Sequence, residues 1–562
     1  MAASASGATI LAPWSWAPST YWDGNDGSWN SFIVQVGTPP QDFRILPSTS
    51  GQETWVLNPQ GCTQDDPADC PYQRGTLPFQ GVNSTGFQSN ESSTWQDIGL
   101  YTLDGQEAQL GYGGNGLYGF DTVSLSNESN PLSLGKQVVA SIADKSYYLG
   151  EFGIGPKPIN FTTFADPIPN FLATLVNQSK IPSLSFGYTA GASYRNKAPA
   201  SLTLGGCDAS RYTPSGLSFP MNADNSRPLQ VGVQKILGQN TLNGAVNLLP
   251  AGGTYHFIDS AVPHLWLPET AVEAFVAAFG LQYDNVTDLY LINDTMRSKH
   301  LQAKPTITFV LGASSQEGVA TETLNIDLPY AALDLQASYP YYRNATKYYF
   351  PIRKAVNESQ MTLGRTFIQE AYIVADWERQ NFTVGQTRFD DLSSPDLVPI
   401  LSVAEAAKLN ATTSSAGATP HKHGLSAGAI AGIVIVIVAL LALALLGFWF
   451  IRRRRRIQAA QVQAAASAGL ADEKSHPYKD KSELPSTNAI NELPPLLPKQ
   501  PSEVDGNTAK WGAHGVQEAP TPPVGHEAGL QELGHGDSFH AEAPGSERPR
   551  AELEGSEVPR FF

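Results

Sequence analysis

The sequence predicts an all-β folded region, one membrane-spanning helix and a disordered tail. The 562 residues include 50 glycines and 41 prolines, and 10% are aromatic. This composition is typical of a β-rich core with many turns, in a chain longer than one domain. Residues 425–451 are apolar and uncharged, and residues 457–562 are rich in Pro, Glu, Ala and Gly. The first stretch is long enough to cross a bilayer, and the second has too few aromatic residues to build a core.

Two apolar segments each carry a short triplet that contains hydroxyl side chains. The first runs from Phe32 through the turn at residues 37–41 to Ser48-Thr49-Ser50, with Trp55 and Val56 after it. The second reads Phe257-Ile258-Asp259-Ser260-Ala261, with Leu265-Trp266-Leu267-Pro268 after it. These segments resemble the two active-site segments of pepsin-like aspartic proteases, in which an aspartate opens each triplet and a glycine closes it.

Further motifs of that family follow in the family's order. They are similar to the flap hairpin (Tyr112-Gly113-Gly114-Asn115-Gly116 with Asp121-Thr122-Val123), the glycine-rich strand turn (149–155), the close of the first lobe (204–208) and the signature near the end of the second lobe (363–376). Each motif alone is weak, because glycine-rich turns are common in β proteins. Together they span residues 28 to 400. The resemblance implies a bilobal all-β fold, with an N-terminal lead-in (1–27), an N-terminal β lobe (28–215) and a C-terminal β lobe (216–400).

The first triplet has lost its acid. An ungapped count from the turn at residues 37–41 places Ser48 at the family's first aspartate and Trp55 at its tryptophan. In the family one carboxyl activates a water while the other protonates the substrate carbonyl. A serine hydroxyl is far too weak an acid for that role, and losing one general acid or base costs roughly 10²–10⁴ in rate. The resemblance therefore implies that Asp259 is the surviving catalytic position and that Ser48 leaves it without a partner; no cofactor or metal is expected.

The residues that build the cleft are retained. In the family the hydroxyl residue after each aspartate forms a crossed hydrogen-bond grip between the lobes, and Thr49 and Ser260 match these positions. Tyr112 matches the flap tyrosine, and Trp55 matches the tryptophan to which that tyrosine bonds. Glycines are replaced by Ser50 and by Ala261, which is expected to perturb the floor of the site.

Three cysteines allow one disulfide at most. Cys62 and Cys70 flank a short loop where the family commonly has a disulfide, and in an oxidising compartment we expect them to pair. The alternative is two free surface thiols. Cys207 is single and is interpreted as a small apolar residue in a buried turn.

Charge argues against nucleic acid as a partner. Residues 1–424 contain 23 basic and 36 acidic residues, and the remainder contains 13 and 16. Binding to phosphates requires clustered basic residues, which the folded region lacks.

Two observations predict a type I membrane topology. Five arginines, Arg452 to Arg456, follow the apolar run at once, and the positive-inside rule places them and the tail (452–562) in the cytoplasm. All Asn-x-Ser/Thr sequons precede the run (Asn83, Asn90, Asn127, Asn160, Asn177, Asn285, Asn293, Asn344, Asn357, Asn381, Asn410). Residues 425–451 would then contact the lipid bilayer, and residues 1–424 would lie at the cell surface or in the secretory or vacuolar pathway. Residues 1–30 contain no signal-peptide pattern, so we expect the natural start to lie upstream.

The segments on either side of the predicted helix are simple in composition. Residues 401–424 are interpreted as a Ser/Thr-rich stalk that lifts the lobes off the membrane. In the tail, residues 494–498 read Pro-Pro-Leu-Leu-Pro, a pattern that predicts either a polyproline ligand for a cytoplasmic partner or a spacer without one.

Three functions are compatible with these features. The first is a membrane glycoprotein with a catalytically inactive, pepsin-like cleft that binds peptide or protein ligands. The second is an acid endopeptidase that uses Asp259 with an acid from outside the family positions. The third is a surface glycoprotein with a vestigial cleft.

Overall fold

A computed structural model of the chain describes residues 10–103, 106–126, 131–161, 165–319, 322–390, 392 and 394–416. The predicted mostly-β, two-lobed architecture is confirmed within this part of the chain. Its strands are, in order, β1 (Trp14–Trp16), β2 (Trp22–Asp23), β3 (Trp29–Asn30), β4 (Phe32–Val36), β5 (Gln41–Ser48), β6 (Thr54–Leu57), β7 (Gln96–Thr102), β8 (Asn115–Leu125), β9 (Leu132–Ile142), β10 (Gly150–Gly153), β11 (Ser185–Thr189), β12 (Ser201–Leu204), β13 (Gly206–Asp208), β14 (Tyr212–Thr213), β15 (Ser218–Pro220), β16 (Gln230–Thr241), β17 (Gly244–Asn247), β18 (Thr254–Ile258), β19 (Leu265–Leu267), β20 (Gln282–Asp284), β21 (Leu289–Leu291), β22 (Thr306–Gly312), β23 (Thr323–Pro329), β24 (Leu335–Ala337), β25 (Lys347–Phe350), β26 (Ile352–Lys354), β27 (Thr362–Leu363), β28 (Ala371–Asp376), β29 (Asn381–Thr387) and β30 (Leu397–Pro399).

The α-helices are short and lie between strands. They are α1 (Cys70–Gln73), α2 (Phe171–Asn177), α3 (Glu269–Phe279), α4 (Asp294–Ala303), α5 (Arg365–Ile368) and α6 (Val403–Ala416). Helices α2 and α4 each begin after an asparagine whose side chain accepts a hydrogen bond from the first turn. Such caps satisfy amides that have no partner within the helix.

The N-terminal lobe is a single sheet in the order β4-β5-β10-β6-β9-β8-β7, which closes on itself because β4 also pairs with β8. Strand β4 alternates buried and half-buried residues, as expected for a strand with one face on the core. Strand β5 is buried almost throughout. It lies inside the sheet, between β4 and β10, which explains why nearly all of its residues are buried.

The C-terminal lobe has its own sheet, in the order β23-β22-β16-β18-β27-β19-β26. The same local arrangement occurs in both lobes. Strand β5 pairs in parallel with β10, and β18 pairs in parallel with β27. Both β5 and β18 end at a triplet named above, so each lobe presents its triplet at the end of a central strand.

A third sheet joins the two halves of the chain. Its order is β1-β12-β11-β28-β29-β14, with β15 also paired to β29. Strands β11 and β28 lie side by side although they are far apart in sequence, with Phe186 opposite Ala375. One continuous apolar core includes residues of both lobes, such as Phe152 and Phe367. The two lobes therefore share this third sheet and one apolar core.

The cysteine prediction is confirmed. Cys62 and Cys70 form a disulfide, which closes the loop that leads into α1. Cys207 is a free, buried thiol.

No helix in the described residues is both long and apolar enough to span a bilayer. The predicted membrane helix (425–451) and cytoplasmic tail lie outside the described residues. Of the predicted stalk (401–424), residues 401–416 are described, and most of them form helix α6 (Val403–Ala416).

Candidate active site

The two triplets meet through crossed hydrogen bonds between the lobes. The Thr49 amide donates to Ser260 Oγ at 2.9 Å, and the Ser260 amide donates to Thr49 Oγ1 at 3.0 Å. Ser260 Oγ donates in turn to the Pro47 carbonyl at 2.7 Å. Both hydroxyl residues are buried. These contacts have the form of the grip that the resemblance implies.

Asp259 lies beside this grip and is 3% exposed. The Ala261 amide donates to its Oδ1 at 2.9 Å, and Ser50 Oγ lies 3.0 Å from the same atom. Burial raises the pKa of Asp259, while these hydrogen bonds and the nearby Arg365 act in the opposite direction. Arg365 itself is held by the carbonyls of Ser260 and Ala261, at 2.9 and 2.6 Å.

Ser48 is fully buried at the position of the missing acid. Its Oγ accepts a hydrogen bond from the Gly51 amide at 2.9 Å and lies 3.2 Å from Ser50 Oγ. The hydroxyl is thus integrated into the turn of the triplet.

A carboxyl from the flap takes the place opposite Asp259. The loop between β7 and β8, which we call the flap, contains a 3₁₀ helix at Gln106–Leu110. Within it, Glu107 is 2% exposed. Ser50 Oγ lies 2.6 Å from Glu107 Oε1 as well as 3.0 Å from Asp259 Oδ1. A serine hydroxyl has only one hydrogen, and an ionised carboxylate can only accept hydrogen bonds. The two contacts of Ser50 therefore require that one of the two carboxyls carries a proton.

Another buried carboxyl belongs to Glu151 on β10. The parallel pairing of β10 with β5 sets Glu151 opposite Leu46 and Gly153 opposite Ser48. Burial, and then the charge of Asp259, raise the pKa of Glu151 to about 8, although Arg365 acts against this shift. Glu151 is therefore protonated in acidic and neutral solution.

Sequence reasoning missed Glu107 and Glu151 as site residues. Glu151 lies within the glycine-rich motif at residues 149–155, at a position that the motif leaves open. Glu107 precedes the flap tyrosine by five residues. Acidic residues within recognised active-site motifs were the available signal. Among the described residues, no group of three or more His, Cys, Asp or Glu side chains is arranged to hold a metal ion.

The flap tyrosine and its expected tryptophan partner are separated. Trp55 Nε1 donates to Glu53 Oε2 at 2.9 Å, and Tyr118 donates to the same oxygen at 3.0 Å. Tyr112 Oη lies 3.5 Å from Nδ1 of His264, which belongs to the other lobe. This geometry corrects the expectation of a bond between Tyr112 and Trp55, because Glu53 satisfies the indole.

The flap is closed on the C-terminal lobe. Leu110 is buried in an apolar cluster with Val262, Trp266, Ala355 and Met361. Gln360 Nε2 donates to the Gln109 carbonyl at 2.6 Å. The carboxyls of Glu107 and Asp259 lie beneath this contact.

A cavity of about 580 Å³ lies next to the closed flap. Its lining includes Asp26, Tyr112, Lys145, Tyr341 and Arg353. It does not reach Asp259 or Ser48, because the flap and Glu107 intervene.

Seven of the sequon asparagines are exposed: Asn83, Asn90, Asn177, Asn285, Asn293, Asn344 and Asn357. Asn160 and Asn381 are partly exposed. Asn127 and the side chain of Asn410 lie outside the described part of the chain.

Comparison with known proteins gives consistent matches. The family model described as eukaryotic aspartyl protease matches residues 31–387. Secreted aspartic protease 1 of Candida albicans is 23% identical over 367 residues, which are 64% of this chain and 82% of that protein. Pepsin B of Canis lupus familiaris is 25% identical over 359 residues, 61% of this chain and 77% of the relative. The crystal structure of the aspartic proteinase from Irpex lacteus has a TM-score of 0.45 at 16% identity and covers 68% of this chain and 100% of its own. The match to the family model extends over more than half of the sequence.

Proposed function

Since the chain belongs to the eukaryotic aspartyl protease family, we propose that it is a membrane-anchored, catalytically inactive member whose cleft binds extended peptides without cleaving them. The observation that carries this proposal is the contact of Ser50 with both Glu107 and Asp259. The carboxyl that stands beside Asp259 comes from the flap.

A flap carboxyl is a poor substitute for a fixed catalytic acid. A flap closes over bound substrate, so a peptide would occupy the space between the flap and Asp259. The bound peptide would therefore displace Glu107, although Glu107 is the carboxyl that would have to assist its cleavage. Asp259 would then face Ser48, which supplies no acid. Proton transfer requires an acid within hydrogen-bond reach of the reacting atoms.

Retained cleft features support ligand binding. The grip between Thr49 and Ser260 joins the lobes, and the cavity beside the flap combines aromatic and charged side chains. The volume of this cavity is within the range typical of ligand-binding clefts, and its lining is largely polar. A polypeptide backbone offers hydrogen-bonding groups that such a lining can bind.

Glu151 favours a second candidate, an acid endopeptidase. Its carboxyl lies on a strand beside Ser48, so it stays in place when the flap lifts. With a pKa of about 8, it carries a proton wherever the pH is acidic. Such an enzyme would use Asp259 as the base and Glu151 as the acid.

Membrane anchorage is part of the proposal. It is supported by the apolar run at residues 425–451, by the five arginines that follow, and by the position of all sequons before them. The exposure of seven of these asparagines agrees with glycosylation of the lobes.

A peptidase assay across the acidic range separates the two candidates. The full-length chain, Asp259→Ala and Glu151→Gln would be incubated with a mixed peptide library between about pH 2 and about pH 7. We expect no cleavage above background from any of the three. Cleavage that both substitutions abolish would replace the proposal by the endopeptidase.

A binding measurement tests the ligand half of the proposal. A statine-containing peptide, which mimics a tetrahedral intermediate, would be titrated into the same proteins. Saturable binding without turnover is expected. If such peptides do not bind at any pH, the cleft is vestigial.

A further inference from the structure

We propose that Glu107 is an internal plug of the altered active site, which holds the flap shut in acid and releases it as the pH rises. The peptide-binding cleft would then be open in neutral solution and closed in acidic solution. This inference rests on the proposed function for its ligand, but the movement of the flap can be tested without one.

The plug has a defined geometry. Ser50 Oγ lies between Glu107 Oε1, at 2.6 Å, and Asp259 Oδ1, at 3.0 Å. A serine hydroxyl has one hydrogen to donate. The second contact therefore uses a carboxyl proton. Loss of that proton leaves two buried anions that share the single Ser50 donor.

The plug is mechanically coupled to the flap. Leu110 follows Glu107 in the same 3₁₀ helix and packs against Val262 and Trp266 of the other lobe. The Gln109 carbonyl accepts a hydrogen bond from Gln360. Glu107 can leave Asp259 only if this helix lifts off the C-terminal lobe. Opening the flap and withdrawing the carboxyl are thus one movement.

The groups around Glu107 offer little positive charge to two anions. Asp259 and Glu151 are the acidic groups that act on it. Arg365 acts on Asp259 and Glu151, but it already binds two carbonyls and Asp26. Arg353 is paired with Asp288.

The remaining neighbours are uncharged in this pH range. Burial keeps the pKa of His264 well below its usual value, so it stays neutral. Tyr147 is buried and Tyr112 is half-buried, and desolvation raises the pKa of each hydroxyl. No described neighbour of Glu107 gains a positive charge that could compensate for its ionisation.

The direction of the response follows from these contacts. In the closed state burial, and then the charge of Asp259, raise the pKa of Glu107 well above its usual value. In the open state water surrounds the carboxyl and its pKa returns to the ordinary range. A group with a raised pKa in the closed state stabilises that state fully below its ordinary pKa. This stabilisation is lost as the pH rises through the raised value.

Hydrogen–deuterium exchange of the full-length chain tests the movement. Exchange of residues 106–116 would be measured at about pH 4.5 and about pH 7.5, after correction for intrinsic rates. In the native chain we expect flap opening to increase at least about tenfold at the higher pH, because ionisation of Glu107 destabilises the closed state. Glu107→Gln cannot ionise but keeps a side chain that can hydrogen-bond to Ser50, so its flap should stay closed at both pH values. Glu91→Gln removes an exposed glutamate outside the flap and should respond like the native chain.

Peptide affinity provides a second test of the plug. The statine-containing peptide should bind the native chain about tenfold more tightly at the higher pH, and Glu107→Gln should bind it weakly at both. Equal flap exchange of the native chain at the two pH values, or an unchanged pH response in Glu107→Gln, overturns the plug. Absence of peptide binding throughout overturns the proposed function instead, while the exchange data still decide the plug. If Glu107→Gln fails to fold, Ser50→Ala provides the same test, because loss of the bridging hydroxyl should move flap opening to lower pH.

Discussion

The hydroxyl of Ser50 lies 2.6 Å from the carboxyl of Glu107, and this contact links the floor of the cleft to its flap. Glycine closes the triplet in the related proteases, and glycine has no side chain with which to make such a bond. Ser50, which departs from the family pattern, is thus the residue that holds the flap carboxyl. Loss of the acid at Ser48 and gain of the hydroxyl at Ser50 are parts of the same altered site.

Restoring the family triplets should restore chemistry. The variant that combines Ser48→Asp, Ser50→Gly and Ala261→Gly recreates two facing aspartates and removes the hydroxyl that binds Glu107. We expect peptide cleavage with a bell-shaped pH–rate profile in the acid range, as two coupled carboxyls produce. Adding Asp259→Ala should abolish it. A triple variant that stays inert while folded would show that the cleft has diverged beyond its acids.

Replacing Glu151 should stabilise the protein in neutral solution. Its pKa of about 8 in the fold exceeds that of the unfolded chain, so the native state holds a proton that the unfolded state releases. The free energy of unfolding should therefore fall as the pH rises from the ordinary carboxyl range to about 8. Near neutrality, the free energy of unfolding of Glu151→Gln should exceed that of the native chain by on the order of 3 kcal/mol. In acid the two values should be equal. Urea unfolding at both pH values measures this, and parallel curves for the two proteins would contradict the assignment.

The crossed grip should contribute measurably to stability. Thr49→Val keeps the shape of the side chain but leaves the buried Ser260 amide without its acceptor. An unsatisfied buried amide costs about 1–3 kcal/mol. Thr308→Val is a matched control, because its hydroxyl bonds an exposed aspartate on a neighbouring strand. Similar unfolding midpoints for the two variants would mean that the grip adds nothing beyond packing.

The disulfide should stabilise the fold modestly. It closes a loop with a sequence separation of 8 residues, for which the chain-entropy model gives roughly 2.5 kcal/mol. Replacing Cys62 and Cys70 together by alanine should lower the melting temperature by several degrees. Replacing the free Cys207 by alanine serves as the control for thiol removal. If replacing Cys207 lowers the melting temperature as much as replacing Cys62 and Cys70 together, closure of the disulfide loop is not the cause of the decrease.

Topology can be tested by protease protection. In sealed vesicles that carry the full-length chain, protease added outside should digest the tail after Arg456 and leave the lobes intact. Antibodies against the two ends identify the fragments. Digestion of the lobes with survival of the tail would reverse the proposed orientation.

The sequence predicted what is local and missed what depends on distant packing. The triplets at Ser48 and Asp259 could be located because their flanking residues resemble the two active-site segments of pepsin-like aspartic proteases. Glu151 reaches the site through the parallel pairing of β10 with β5, which sets it opposite Leu46, a residue about a hundred positions earlier. Glu107 reaches it because Leu110 docks on the other lobe. In a turn motif or a flap, the neighbouring residues in the sequence do not distinguish a buried glutamate from a solvent-exposed one.

The sheet shared by the two halves has a practical consequence for producing the protein. Strand β1 forms one edge of that sheet, with Trp14 opposite Leu204 and Trp16 opposite Leu202 on β12. Both tryptophans are buried. A recombinant chain begun after Trp16 would expose the backbone of β12 together with the apolar surface that these indoles cover. Unpaired edges of this kind recruit strands from other molecules, so such a shortened protein should aggregate even though both triplets, the flap and the disulfide are present.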